Sequence, residues 1–249
     1  MAIATQAITE KFISLIHEAQ GADNKKLKEL RKKFIQALGI IGAKQFVTIM
    51  ADILKDNFHI QGCNDARIPL KSIFNISLDE LEDSLLSKDY RLPKEHPLSG
   101  LSQDHIGNIK KLKALHLVFS VIKEDDAYEK IVSRKKDIED YYAELDLHIK
   151  KEEEVFFPAL EEAGMKEHPE VLREEHKKFR QIFADMFSFL QIPMQDDFYL
   201  IVEKFRKEFV PALCNHVFRE TYVFYPAALE FIAGKEEWIK IEEGFSRIK

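Results

Sequence analysis

One block of this sequence occurs twice. His148 and Glu152, four residues apart, lead into Val155, Phe156, Phe157, Pro158 and Ala159; His216 and Glu220 lead into Val223, Phe224, Tyr225, Pro226 and Ala227. The offset is 68 for every residue of the block. A spacing of four puts the histidine and the glutamate on one helix face, one turn apart. A helix ahead of each copy carries one more histidine, His105 before the first and His176 before the second. The pattern is that of a duplicated helix pair building one metal site from both halves.

At 249 residues the chain has room for one large domain or two modest ones. Few glycines and prolines among abundant charged and apolar residues favour an all-α protein. The net charge of −6, with no lysine/arginine stripe, argues against nucleic acid as a partner. Cys63 and Cys214 form neither a CxxC pair nor a disulfide framework, which is expected in a reducing interior. Glu10, Lys11 and His17 interrupt the N-terminus, and no apolar run is long enough to span a bilayer. A cytoplasmic protein without a membrane partner is expected.

Residues 1–95 read as short amphipathic helices. Leu27, Leu30, Phe34 and Leu38 form one stripe, ending at Gly39, and Phe46, Val47, Ile49, Met50, Ile53 and Leu54 form another. Ser77 to Glu80 reads as a capping box before Leu81, Leu85 and Leu86. Phe58 to Ile76, with Gly62 and Pro69, shows no period and is expected to be irregular. The break from Leu92 to Gly100 marks the boundary between this N-terminal helical region, residues 1–95, and a bundle with a short C-terminal helix, residues 96–249.

Four long seams follow. The first has Leu101, His105, Asn108, Leu112, Leu115, Phe119 and Ile122; the second Ile138, Tyr141, Leu145, His148, Glu152, Val155 and Ala159. The third, opening at Pro169, has Leu172, His176, Phe179, Phe183, Met186 and Leu190; the fourth Phe209, Leu213, His216, Glu220, Val223 and Ala227. Pro158 and Pro226 should kink or tighten their helices just past the site. His105, His148, Glu152, His176, His216 and Glu220 thus stand where a seam calls for leucine, and burying such groups requires that they satisfy one another or hold a cation. About 20 residues run from His105 to the turn near Asp125 and about 23 back to His148, so at a rise of about 1.5 Å per residue the histidines reach a common level. Mixed imidazole and carboxylate donors suit iron, manganese or zinc better than calcium or magnesium. Two carboxylates among six donors point to a dinuclear site with both glutamates shared and a position open for a small ligand. Phe156, Phe179 and Phe224 would keep it dry.

Other polar residues have plainer uses. His116 is expected to be a hydrogen-bonded core histidine, and Glu144 an exposed ion-pair partner ahead of an orienter of a ligand imidazole. Glu153 and Glu154 are expected to be solvated, with Glu153 also able to touch the ligand residues from behind, and Tyr141 and Tyr222 to be packing residues ahead of donors to a metal-bound ligand. His17, His59, His96 and His168 are given no role.

The paired His-x-x-x-Glu helices with two single-histidine helices resemble the hemerythrin-like (HHE cation-binding) family over about residues 96–231. The resemblance implies an antiparallel four-helix bundle holding two iron ions as an oxo- or hydroxo-bridged di-iron centre, ahead of manganese or zinc. It implies His105, His148, His176 and His216 as terminal ligands and Glu152 and Glu220 as bridges. Oxygen-carrying members place a second histidine one turn after the third-helix ligand, where this chain has Arg180; the donor set is therefore similar to that of repair-type members. Their cysteine-containing N-terminal motif is not evident around Cys63. The expected function is binding of, or reaction with, dioxygen, nitric oxide or peroxide, for sensing, stress response, iron supply or iron–sulfur repair; catalytic turnover is left open. The alternative is an interaction module, in which residues 1–95 self-associate or hold a protein partner and the metal reports iron or redox state.

Overall fold

A computed structural model describes residues 2–47, 67–88, 90–191 and 198–249. Cys63, Asn64, Asp65, His59 and the stripe from Ile49 to Leu54 lie outside the described residues. Among the described residues all regular structure is helical, and no helix is long and apolar enough to cross a membrane. The chain is an all-α bundle protein with additional N-terminal helices. Its contacts divide into two compact units, Met1–Ile76 with Phe218–Phe231, and Ser77–Val217 with Ile232–Lys249.

The first unit is built on α1 (Ala2–Ala19), α2 (Asn24–Ile41) and α3 (Arg67–Phe74), which pack on one another. Asp23 caps α2, accepting from the Lys26 amide at 2.8 Å. Phe34 meets Phe12 and Phe46 edge to face at 5.6 and 5.2 Å, Phe12 lies tilted against Phe46 at 5.0 Å, and Phe74 joins Phe34 at 5.4 Å and Phe218 at 6.1 Å. Gly42 adopts φ +79°, where side chains are strained, and this lets Glu230 accept the Ala43 amide at 2.6 Å. Helix α3 corrects the expectation of an irregular stretch up to Ile76. Pro69 is its third residue, and the first-turn amides of a helix have no intrahelical partner to lose.

The second unit opens with α4 (Leu78–Ser87), capped by Ser77, and packs it on α5 (Pro97–Ser120). A 3₁₀ turn (Glu124–Asp126) and a short helix, α6 (Ala127–Ser133), connect to α7, which runs Lys135–Lys151 and on through residue 162. After α8 (Glu167–Gln191), α9 starts at Phe198 and continues through residue 231. Helices α5 and α8 each lie beside both α7 and α9. Phe119, Phe183, Phe205 and Phe209 are almost wholly buried where these helices meet, each contributing about 1.5–3 kcal/mol by leaving water.

The rods α7 and α9 are not uniform. Three π turns interrupt them, Glu152–Phe156, Phe205–Phe209 and Glu220–Phe224, each followed at its second residue by a proline: Pro158, Pro211 and Pro226. A proline ring collides with the carbonyl four residues back and offers no amide. The chain relieves this by widening the preceding turn, so that the amides of Phe157, Val210 and Tyr225 reach the carbonyls of Glu152, Phe205 and Glu220. The prolines therefore widen these helices where kinking or tightening was expected. The added residue also rotates the seam: past Glu152 the buried positions are Phe156, Phe157 and Leu160, while Val155 and Ala159 are only half-buried.

Helix α10 (Lys235–Phe245) closes the chain against α5 and the first of these π turns. Trp238 donates from Nε1 to the Ile232 carbonyl at 3.0 Å, and its ring meets His96 at 4.4 Å and Phe156 at 6.5 Å. A β-carbon at Gly244 would stand 2.5 Å from Cγ1 and 3.1 Å from Cγ2 of Val155, so that the branched side chain or the helix must shift. Gly244→Val should therefore cost about 1–3 kcal/mol, read as a lower urea midpoint at unchanged slope. A midpoint equal to that of the parent would mean that α10 can lift away freely.

Candidate metal centre

The structure buries all six polar seam residues. His105, His148, His176 and His216 are at most 4% exposed, and Glu152 and Glu220 are at 0%. Four separate rods supply them: His105 from α5, His148 and Glu152 from α7, His176 from α8, His216 and Glu220 from α9. Each glutamate is the first residue of a π turn, directly after the regular helix that carries its histidine.

These residues fall into two overlapping groups of four. His105, His148, Glu152 and Glu220 form one; Glu152, His176, His216 and Glu220 form the other; within each group one candidate donor atom per residue lies within 4.8 Å of the rest. Both glutamates belong to both groups, and the histidines divide two and two. Oε2 of Glu152 shows the sharing directly, standing 3.6 Å from Nε2 of His148 and 3.5 Å from Nε2 of His176. The rings of His105 and His148 are 4.7 Å apart, and those of His176 and His216 are 4.8 Å apart.

The outer ring nitrogens face carboxylates. Nδ1 of His176 is 2.9 Å from Glu153 Oε1, Nδ1 of His216 is 2.8 Å from Glu175 Oε2, and Nδ1 of His148 is 3.5 Å from Asp104 Oδ2. A carboxylate at Nδ1 selects the tautomer with its proton there and leaves Nε2 as a lone pair turned to the centre. Cations stand behind two of the carboxylates: Lys151 at 2.7 Å from Asp104, and Arg180 at 2.8 Å from Glu153. Burial alone would raise the pKa of Asp104 and of Glu153; their hydrogen bonds to histidine and to these cations outweigh it and hold both below the usual carboxylate value.

The donor set fits a cation. Nε2 of His176 and Nε2 of His216 are 3.0 Å apart, and with both Nδ1 protons given to carboxylates, two lone pairs face each other. Two nitrogens bound to one metal at about 2.1 Å and at right angles would be separated by about 3.0 Å. Phe157 stacks parallel to His176 at 5.8 Å, and Phe179 meets His216 edge-on at 5.2 Å, walling the site with apolar rings.

A sequence model described as hemerythrin, HHE cation binding domain, matches residues 96–228, more than half of the chain. The chain belongs to the hemerythrin HHE family. No curated protein and no solved structure matches it. Membership implies a metal-binding site, and the two groups of buried histidines and glutamates are where this HHE domain has residues placed to hold metal.

The remaining polar residues sort by contact. Glu153, expected to be solvated or to touch a ligand residue from behind, does the second and holds His176. Arg180 is committed to Asp146 and Glu153, at 2.9 and 2.8 Å. Glu144 makes an exposed pair with Lys111. His116 is half-buried with no hydrogen bond at Nδ1, and burial, then Arg206, pushes its pKa below the usual histidine value. Tyr222 packs on Phe218 at 4.8 Å. Burial pushes the Cys214 thiol up to about 12, so it stays protonated. Asp104 and Glu175 escaped the sequence reading, although each immediately precedes a seam histidine. Tyr141 is buried against Phe183 and Phe209, its hydroxyl has no hydrogen-bond partner, and burial raises its pKa well above the usual tyrosine value. Tyr141→Phe should keep the full metal content and leave stability equal or higher by about 1 kcal/mol; loss of metal in that variant would give the hydroxyl a role at the centre.

Proposed function

We propose that this chain is a non-haem di-iron protein that binds or reacts with a small diatomic or peroxide ligand (dioxygen, nitric oxide or hydrogen peroxide). Sensing, stress response, and iron supply or iron–sulfur repair are the settings for which such a site suits. The observation that carries the reading is the sharing of Glu152 and Glu220 by two histidine pairs. In this reading His105 and His148 would hold one iron, His176 and His216 the other, and the two glutamates would serve both. A pair of irons supplies reversible one-electron chemistry at a position open to a small molecule. Two imidazoles and two carboxylates per metal favour iron over calcium or magnesium and leave room for an exogenous ligand. Asp104, Glu153 and Glu175 orient the imidazoles, while Phe157 and Phe179 keep bulk water out, which strengthens every electrostatic contact within. The protein would work in a reducing interior, where the Cys214 thiol stays free.

Aerobically purified protein is expected to carry about two irons per chain, as the two donor groups require, and to show near-ultraviolet charge-transfer absorption when oxidised. His148→Ala should lose both the metal and the absorption. Zinc or manganese in place of iron, or normal iron in that variant, would defeat the assignment.

A further inference from the structure

We propose that Arg180 is a positioning residue that makes the two metal positions unequal, holding the His176/His216 position more tightly than the His105/His148 position. This rests on the two-metal reading above. The guanidinium on α8 spans two carboxylates of α7, with Nε 2.9 Å from Asp146 and Nη1 2.8 Å from Glu153. Glu153 gives its second oxygen to Nδ1 of His176 at 2.9 Å. Asp146 gives its second oxygen to Lys150 at 3.0 Å. The Glu153 carboxylate is therefore fixed at both ends, and the imidazole it faces cannot turn without breaking a charge-assisted pair. The fork geometry matters here, since a planar guanidinium can serve two separated carboxylates at once.

The other half of the duplication has a lesser brace: Lys151 stands 2.7 Å from the same Asp104 oxygen that faces Nδ1 of His148 at 3.5 Å, an ammonium on one carboxylate where Arg180 puts a fork on two. The offset of 68 puts Cys214 in the place of Asp146 and Thr221 in the place of Glu153. Aligning His105 with His176 puts Ile109 in the place of Arg180. Three charged residues are replaced by a thiol, a hydroxyl and an alkyl chain. Arg180 itself is only 30% exposed and lies between two carboxylates, so it holds His176 through Glu153 and is not presented to an incoming anion.

The test follows release of iron(II) to excess chelator from the anaerobically loaded full chain. Release from the parent should be biphasic, one iron per phase. Arg180→Gln should speed the slow phase about tenfold, in the range for loss of a partner that orients a metal-ligating histidine, with the fast phase little changed. Arg180→Lys should fall between, because it keeps the charge and loses the fork. Lys136→Gln, which breaks an exposed pair with Asp140, should match the parent, and circular dichroism melting of the metal-free variants reads folding separately. An unchanged slow phase in Arg180→Gln, or equal acceleration of both phases, would overturn the proposal. Fewer than two irons bound by the parent would instead sink the two-metal reading on which it stands.

Discussion

Two carboxylates without solvent exposure sit among four buried imidazoles in the middle of a helical bundle, and most of the architecture answers to that fact. Taking an ionised carboxylate out of water costs several kcal/mol even after relaxation. No seam position occupied by leucine would carry such a cost, so the bundle tolerates these groups only because they meet compensating charge. That requirement fixes the depth at which four rods place one or two polar residues each. It also explains the belt of outer carboxylates: with Asp104, Glu153 and Glu175 at Nδ1, three imidazoles keep their lone pairs inward. Lys151 and Arg180 in turn keep that belt from adding bare negative charge to a site that already holds two glutamates.

The partners cross between helices in a regular way. Asp104, beside His105 in the chain, serves His148; Glu175, beside His176, serves His216. Neighbours in sequence differ by about 100° around a helix axis, so an acid next to an inward histidine faces the adjoining rod. Each helix that gives the centre one histidine thereby braces the histidine of a paired helix, and the site is held by contacts that also hold the bundle together.

This crossing marks the limit of what the sequence could tell. The six central residues were legible because a polar side chain in an apolar seam is conspicuous, and because the block around His148 recurs around His216. The outer shell was not. Asp104 and Glu175 lie off the seam, where charged residues are ordinary, and only the order of the rods says which imidazole each can reach. Glu153 reads first as solvated for the same reason, and as a brace for a ligand residue only second. The N-terminal helix at residues 67–74 was hidden by Pro69, which breaks a helix interior and is harmless in a first turn. The shift from Val155 to Phe156 as a buried residue needed knowledge of the π turn. Pro158 and Pro226 signalled a disturbance there without saying which kind.

Those wide turns give the centre an uneven mechanical character. His148 and His216 belong to regular helix, where consecutive backbone bonds hold each residue in a stiff ladder. Glu152 and Glu220 each begin a loosened coil whose first closing bond skips an extra residue. The imidazoles thus hang from unbroken α-helical ladder and the carboxylates from the residue at which each ladder widens. The two kinds of donor at the middle of the bundle therefore enter it from different backbone, the histidines from regular coil and the acids from its widened turns.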